Sequence, residues 1–165
     1  MPDFTAMRHD ACGSQTEAWR ALRRARQGAR VKTRKPVAEP DCPCGSGHRY
    51  AACCGSHLDA GVPAPTAEAL MRSRYSAYVA GREDYLLSTW HASTRPTRVE
   101  LEPPAKWLEL RVLRHVPDPA DADRAVVEFV ARFRAEGRGH RLHETSRFVR
   151  EAGRWFYLDA KGDDR

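Results

Sequence analysis

A chain of 165 residues with 41% hydrophobic content holds enough apolar material for one domain with a modest core, plus appendages. No run approaches the roughly 18 apolar residues of a membrane span. Residues 1–10 lack the apolar stretch of a secretory signal, and Arg23-Arg24 is not followed by one, so a cytoplasmic location is expected. The net charge of +6 is unevenly spread: residues 1–40 carry nine Lys/Arg against four Asp/Glu, whereas residues 41–165 carry a net +1. The high isoelectric point therefore belongs to the N-terminal arm and gives no argument that the body binds nucleic acid.

Taken in order, residues 1–16 show no hydrophobic period and are expected to be disordered. Residues 16–29 suit a short basic helix, with Trp19 and Leu22 as its bulky apolar pair and Arg20, Arg23, Arg24 and Arg26 around them. Two readings stand: an RNA- or ribosome-binding arm through residues 20–35, or a solvated, frayed extension. Cys12 is isolated and reads as a free thiol. Pro36 and Pro40 mark residues 35–40 as a linker, because proline removes a backbone donor and restricts its predecessor.

Four of the five cysteines follow within thirteen residues, in Cys42-Pro43-Cys44-Gly45-Ser46-Gly47-His48-Arg49-Tyr50-Ala51-Ala52-Cys53-Cys54. In a reducing compartment such density favours a metal over a disulfide. A thioredoxin-like redox pair has a different spacing, Cys-x-x-Cys. Gly45 and Gly47 permit the positive φ that lets a turn fold back on its own ligands. Residues 48–52 are expected to make about one helical turn that delivers Cys53 and Cys54. Zinc takes four soft ligands in a tetrahedron, and Cys42, Cys44, Cys53 and Cys54 supply them, with His57 or His48 as substitutes for the fourth. Four protein ligands leave no open position, so a single zinc ion here is expected to be structural rather than catalytic.

The stretch Cys-Pro-Cys-Gly-Ser-Gly-x-x-Tyr-x-x-Cys-Cys resembles the SEC-C motif, a zinc-binding segment also found at the C-terminus of the SecA translocation ATPase. Pro65-Thr66-Ala67-Glu68-Ala69-Leu70-Met71-Arg72-Ser73-Arg74-Tyr75, then Thr89-Trp90-His91, then His143-Glu144-Thr145-Ser146-Arg147-Phe148 and Arg154-Trp155-Phe156-Tyr157 resemble the bacterial YchJ family. The resemblance covers residues 42 to about 160. It implies a SEC-C segment followed by a nuclear-transport-factor-2-like α+β domain, in a family of uncharacterised role. SEC-C segments elsewhere are associated with protein and ribosome contacts, which points to a protein partner. The organisation expected is a basic extension (1–40), a zinc knuckle (41–60) and an α+β domain (61–162).

The residues of the body lead to the same fold class. Thr66 is a good N-cap, Leu70, Met71, Tyr75, Tyr78 and Val79 recur at helical spacing, and Gly81 is a natural stop. A second helix is expected over residues 83–90. The period then changes to two. Leu108, Leu110 and Val112 alternate with charged residues, as do Val127, Phe129, Ala131 and Phe133; Leu142, Glu144, Ser146 and Phe148 share a face. Strands are expected over 107–116, 125–136, 140–150 and 155–159, with Gly137-Arg138-Gly139 as one turn. Two helices followed by four strands make an α+β domain with a curved antiparallel sheet wrapped on a helix, in keeping with the cystatin-like fold that the resemblance implies.

One residue breaks the pattern. Glu144 falls on the inward face, and an inward carboxylate must be paired, protonated or lining a cavity. A salt bridge to an arginine of the first helix is the plain explanation, with Arg72, Arg74, His91 or Arg95 as the partner. The alternative is a small-molecule or enzymatic pocket formed by Arg74, Tyr78, Trp90, His91, Glu144, Ser146, Phe148 and Trp155, in which Glu144 acts as a general base. No phosphate loop or serine-hydrolase elbow is present, and no catalytic residue is assigned.

Overall fold

The structure, a computed structural model, describes residues 39–101 and 105–161. The basic arm, its expected helix and Cys12 lie outside them. Helix α1 spans Cys54–Leu58, α2 Ala67–Ala80 and α3 Glu83–Ser88; the strands are β1 Lys106–Pro117, β2 Arg124–Ala135, β3 Arg138–Glu151 and β4 Arg154–Ala160. None of these helices is long and apolar enough to cross a membrane.

Helix α2 begins where the sequence signals it. The Thr66 hydroxyl accepts from the Ala69 N–H at 3.1 Å, satisfying one of the free donors of the first turn, and Glu68 sits at the positive end of the helix dipole. It ends at Gly81, which takes the left-handed conformation (φ 65°), and the Arg82 N–H returns to the Ala77 carbonyl at 2.9 Å. Helix α3 stops at Ser88, two residues short of the expectation. Trp90 leaves the helix because the chain there joins the sheet edge: Tyr157 donates to the Thr89 carbonyl and His91 donates to the Tyr157 carbonyl.

The four strands form one antiparallel meander in sequence order. Two hairpins close on two-residue turns, Glu136-Gly137 and Ala152-Gly153, whose residues all have positive φ. That is the mirror-image turn whose twist matches the flanking strands. The expected turn at Gly137-Arg138-Gly139 is thus shifted, and Gly139 is already in β3, paired with Arg134.

The inward face of the sheet carries Leu110, Val127, Phe129, Ala131, Ser146 and Phe148, all buried, against Leu70, Met71 and Tyr75 of α2. Burying one side chain such as Phe148 is worth about 1.5–3 kcal/mol. Strand β1 departs from simple alternation. Its register against β2 slips between Trp107 and Glu109 and again between Val112 and Arg114. Each slip inserts one residue, so Leu108 and Leu113, both 51% exposed, turn outward, while Trp107 points in against Tyr75, Tyr78 and Phe133. The expected inward position of Leu108 is corrected by this bulge.

Candidate metal centre

The cysteine segment is a hairpin-like knuckle. Cys42 donates its N–H to the His48 carbonyl at 2.8 Å, Tyr50 donates to the Pro40 carbonyl at 3.0 Å, and Gly45 and Gly47 take φ of 73° and 78° between them. Tight i→i+3 turns then carry the chain from Arg49 to Cys53. The helix proper starts at Cys54, the second residue of the cysteine pair, rather than before the pair. Gly55 lies so close to Tyr50 that a Cβ there would meet its carbonyl oxygen and ring at 2.8 Å, so the close approach requires glycine.

The knuckle brings the four thiols together, with one ligand atom from each of Cys42, Cys44, Cys53 and Cys54 within 4.8 Å of the others. The Sγ atoms of Cys44 and Cys53 are 3.7 Å apart, and those of Cys53 and Cys54 3.9 Å. A zinc ion bound at about 2.3 Å by four sulfurs in a tetrahedron requires sulfur–sulfur edges of about 3.8 Å. The donor set and spacing therefore fit such an ion with little movement. His48 is exposed, and His57 Nδ1 lies 2.7 Å from the Val62 carbonyl, so neither histidine belongs to the group.

Charge distribution in the cluster supports the same chemistry. The sulfur of Cys54 and other nearby donors hold the Cys44 thiol down at about 4, whereas its interaction with Cys44 pushes Cys54 upward and burial pushes Cys53 upward. A cation that takes these sulfurs as thiolates displaces the protons that Cys53 and Cys54 hold, so metal uptake releases protons. The Ser46 hydroxyl lies 3.2 Å from Cys53 Sγ and Ser76 Oγ lies 3.8 Å from Cys42 Sγ, which fixes the sulfurs from a second layer.

The centre is part of the domain's core. Cys42, Cys44, Cys54 and Leu58 belong to the same buried cluster as Leu70, Tyr75 and Leu110. Arg72 Nη1 donates to the Cys44 carbonyl at 3.0 Å, and a Cβ on Gly45 would stand 3.2 Å from the Leu110 carbonyl. Tyr50 packs inward against this cluster, and burial together with Asp59 pushes its phenol up to about 12.

A second feature lies between α2 and the sheet, a cavity of about 200 Å³. Of the residues expected to form a pocket, Arg74, Tyr78, Trp90, Glu144 and Ser146 line it. Three do not. His91 faces Glu151 (3.0 Å) and Ser93 (2.7 Å) at the surface; Phe148 is 1% exposed within the solid core; Trp155 lies under the Arg150 guanidinium. Tyr75, Trp107, Phe129 and Tyr157 contribute instead. Trp107 and Tyr157 read from the sequence as core packing rather than pocket, and for Trp107 the bulge at Leu108 reverses the parity.

Glu144 sits opposite Phe129 in the sheet. Among the described residues its hydrogen bonds come from Ser146 Oγ at 2.6 Å and Tyr157 OH at 3.5 Å, not from an arginine. Arg72 pairs with Glu68, and His91 with Glu151. Arg74, 3% exposed, gives Nη1 to the Leu86 carbonyl at 2.7 Å and to Thr89 Oγ1 at 2.8 Å. Its guanidinium carbon lies 4.5 Å from the Tyr157 ring centre and 5.0 Å from that of Trp90. Burial lowers its pKa, and the Glu144 charge is among the groups opposing that shift. Among the described residues no salt bridge joins Arg74 to Glu144, and each has its own hydrogen-bond partners.

A cysteine knuckle built onto a curved sheet with a helix across it defines a SEC-C protein with a nuclear-transport-factor-2-like domain. Residues 41–56 match the SEC-C motif, and residues 66–160 match the family described as "YchJ, middle NTF2-like domain". The chain belongs to the YchJ family, whose bacterial relatives carry the name UPF0225. It is 58% identical over 123 residues to the UPF0225 protein of Methylibium petroleiphilum, covering 74% of this chain and 88% of that one. It is 63% identical over 110 residues to that of Polaromonas naphthalenivorans, covering 67% and 79%. Two solved structures are similar. One is a SEC-C motif-containing protein of Rhodopseudomonas palustris (TM-score 0.66, 37% identity, 74% of this chain and 98% of that one). The other is a SEC-C motif-containing protein of Psychrobacter arcticus (TM-score 0.61, 27% identity, 75% and 84%).

Proposed function

We propose that this chain is a zinc-stapled interaction protein of the bacterial cytoplasm. Cys42, Cys44, Cys53 and Cys54 hold one structural zinc ion, and the knuckle so formed is a docking element for a protein partner. The observation that carries this reading is the sulfur geometry: four thiols within 4.8 Å of one another, two of the separations at 3.7 and 3.9 Å, and three of the four cysteines buried. Closed coordination of this kind supplies folding free energy and leaves no position for a substrate.

The zinc ion serves by fixing the chain around it. His48, Arg49, Ala51 and Ala52 stand exposed on the outer rim of the knuckle, while Tyr50 is turned inward. Arg49 is tied to Asp41 Oδ1 at 3.0 Å and to the Glu39 carbonyl at 2.7 Å, which holds its guanidinium at that rim. The rim is where a partner reads the motif, through Arg49, His48 and the two alanines.

The test separates the metal from the surface. Arg49→Glu and Ala52→Glu change the rim without touching a ligand. Both variants are expected to keep one zinc per chain and the wild-type melting temperature, but to lose the partners that wild type retains when immobilised and passed over lysate. Retention of the same partners by both variants would refute the rim as the docking element.

A further inference from the structure

We propose that the cavity between α2 and the sheet is a binding site for a small, uncharged ring compound that donates a hydrogen bond, such as a phenol or an N–H heterocycle. Three observations set that chemistry.

Size comes first. About 200 Å³ is somewhat more than the roughly 150 Å³ of an engineered apolar cavity that takes up benzene, so one ring with substituents, or two small fused rings, fits. Leu142, one of the lining residues, is 36% exposed.

The walls come second. Tyr75, Trp107 and Phe129 line it with aromatic rings, and Ala131 contributes only a methyl group. Such surfaces favour a planar guest, stacked or edge-on.

Charge decides the class. The cavity contains one buried cation and one carboxylate. Arg74 is already committed through Nη1 to Leu86 and Thr89 and through its face to Trp90 and Tyr157. An anionic guest would face Glu144, and a cationic guest would add a second positive charge beside a desolvated guanidinium. A neutral guest avoids both penalties. Glu144 receives its protein hydrogen bonds on Oε1, and Oε2 has none among the described residues. A neutral O–H or N–H donor satisfies that oxygen with a charge-assisted hydrogen bond. Tyr78 also lines the cavity, and burial raises its pKa, so its phenol stays protonated as a second contact for the guest.

The full-length chain is titrated with phenol, benzene, benzoate and benzylammonium while the amide resonances of Ala131, Leu142 and Ser146 are followed by NMR. Phenol is expected to shift these resonances and to bind about tenfold more tightly than benzene, the size of one hydrogen bond to a charged acceptor. Both ions are expected to bind more weakly than phenol. Glu144→Gln should cut the phenol preference over benzene to about threefold or less, and Ala131→Leu, which fills the space, should abolish binding of both. The comparison of the four probes on the unaltered chain stands even where a variant fails to fold. Failure of phenol to bind, equal affinity for phenol and benzene, or tighter binding of either ion would overturn the proposal. A phenol preference that survives intact in folded Glu144→Gln would also overturn it.

Discussion

Arg72 joins the helix to the cysteine knuckle: its Nη1 donates to the Cys44 carbonyl at 3.0 Å, while Nε and Nη2 grip Glu68 one turn earlier at 2.9 and 2.8 Å. The Glu68 pair holds the guanidinium in place, so the backbone of a ligand-bearing turn is anchored to α2. Removing such outer-layer support costs metal sites about 10–100-fold in affinity. Arg72→Ala is therefore expected to weaken zinc binding by at least about tenfold while the far-ultraviolet circular dichroism stays unchanged. Competition with a chromophoric chelator measures it, and an unaltered affinity would show that the anchor is idle.

Arg74 is bound in a way that lysine does not reproduce. Its planar head donates to Leu86 and Thr89 and lies over two aromatic rings, whereas an ammonium is a point donor with stronger hydration. Arg74→Lys should lower stability by about 2 kcal/mol, the combined size of one lost hydrogen bond and a desolvated cation–π contact. Chemical denaturation reads this directly. A change under about 0.5 kcal/mol, the range of ordinary surface substitutions, would mean the aromatic cradle contributes nothing.

All five tyrosines have their phenols raised, chiefly by burial: Tyr50 and Tyr75 to about 12, and Tyr78, Tyr85 and Tyr157 upward as well. Above pH 10 the unfolded chain loses phenolic protons that the folded chain keeps. The folded state then binds more protons, and stability falls as pH rises from about 10 to 12. Tyrosinate absorbance should appear later in the folded protein than in urea, and the denaturation midpoint should drop over that interval. Coincident titration in both states would contradict the burial of these rings.

Much of this was legible in the residues, for identifiable reasons. Thr66 and Gly81 bracket α2 because capping and left-handed termination depend on single local residues. The four cysteines announce a metal because no core requires thiols at that spacing. The inward position of Glu144 follows from a period of two in β3, a strand paired without a register shift to β2. Two things were not legible. The bulges at Leu108 and Leu113 reverse parity through pairing with β2, which local sequence does not record. The partner of Glu144 was expected to be an arginine because opposite charges attract. The structure instead satisfies Arg74 with a carbonyl, a hydroxyl and two rings, and Glu144 with Ser146 and Tyr157, arrangements that depend on where α3 and β4 end in space.

The knuckle also read as an appended module, yet Cys42, Cys44 and Cys54 share the core of the domain. Metal loss should accordingly be felt throughout the domain. The central claim is that these four cysteines hold one zinc ion, and the direct measurement is zinc-edge X-ray absorption on the purified full-length chain together with its metal content. The account predicts about one zinc per chain, bound by four sulfurs at about 2.3 Å, and a melting transition that moves down as a whole when a chelator removes it. A melting transition that stays put when the metal is removed, or zinc bound through nitrogen or oxygen ligands, would contradict it.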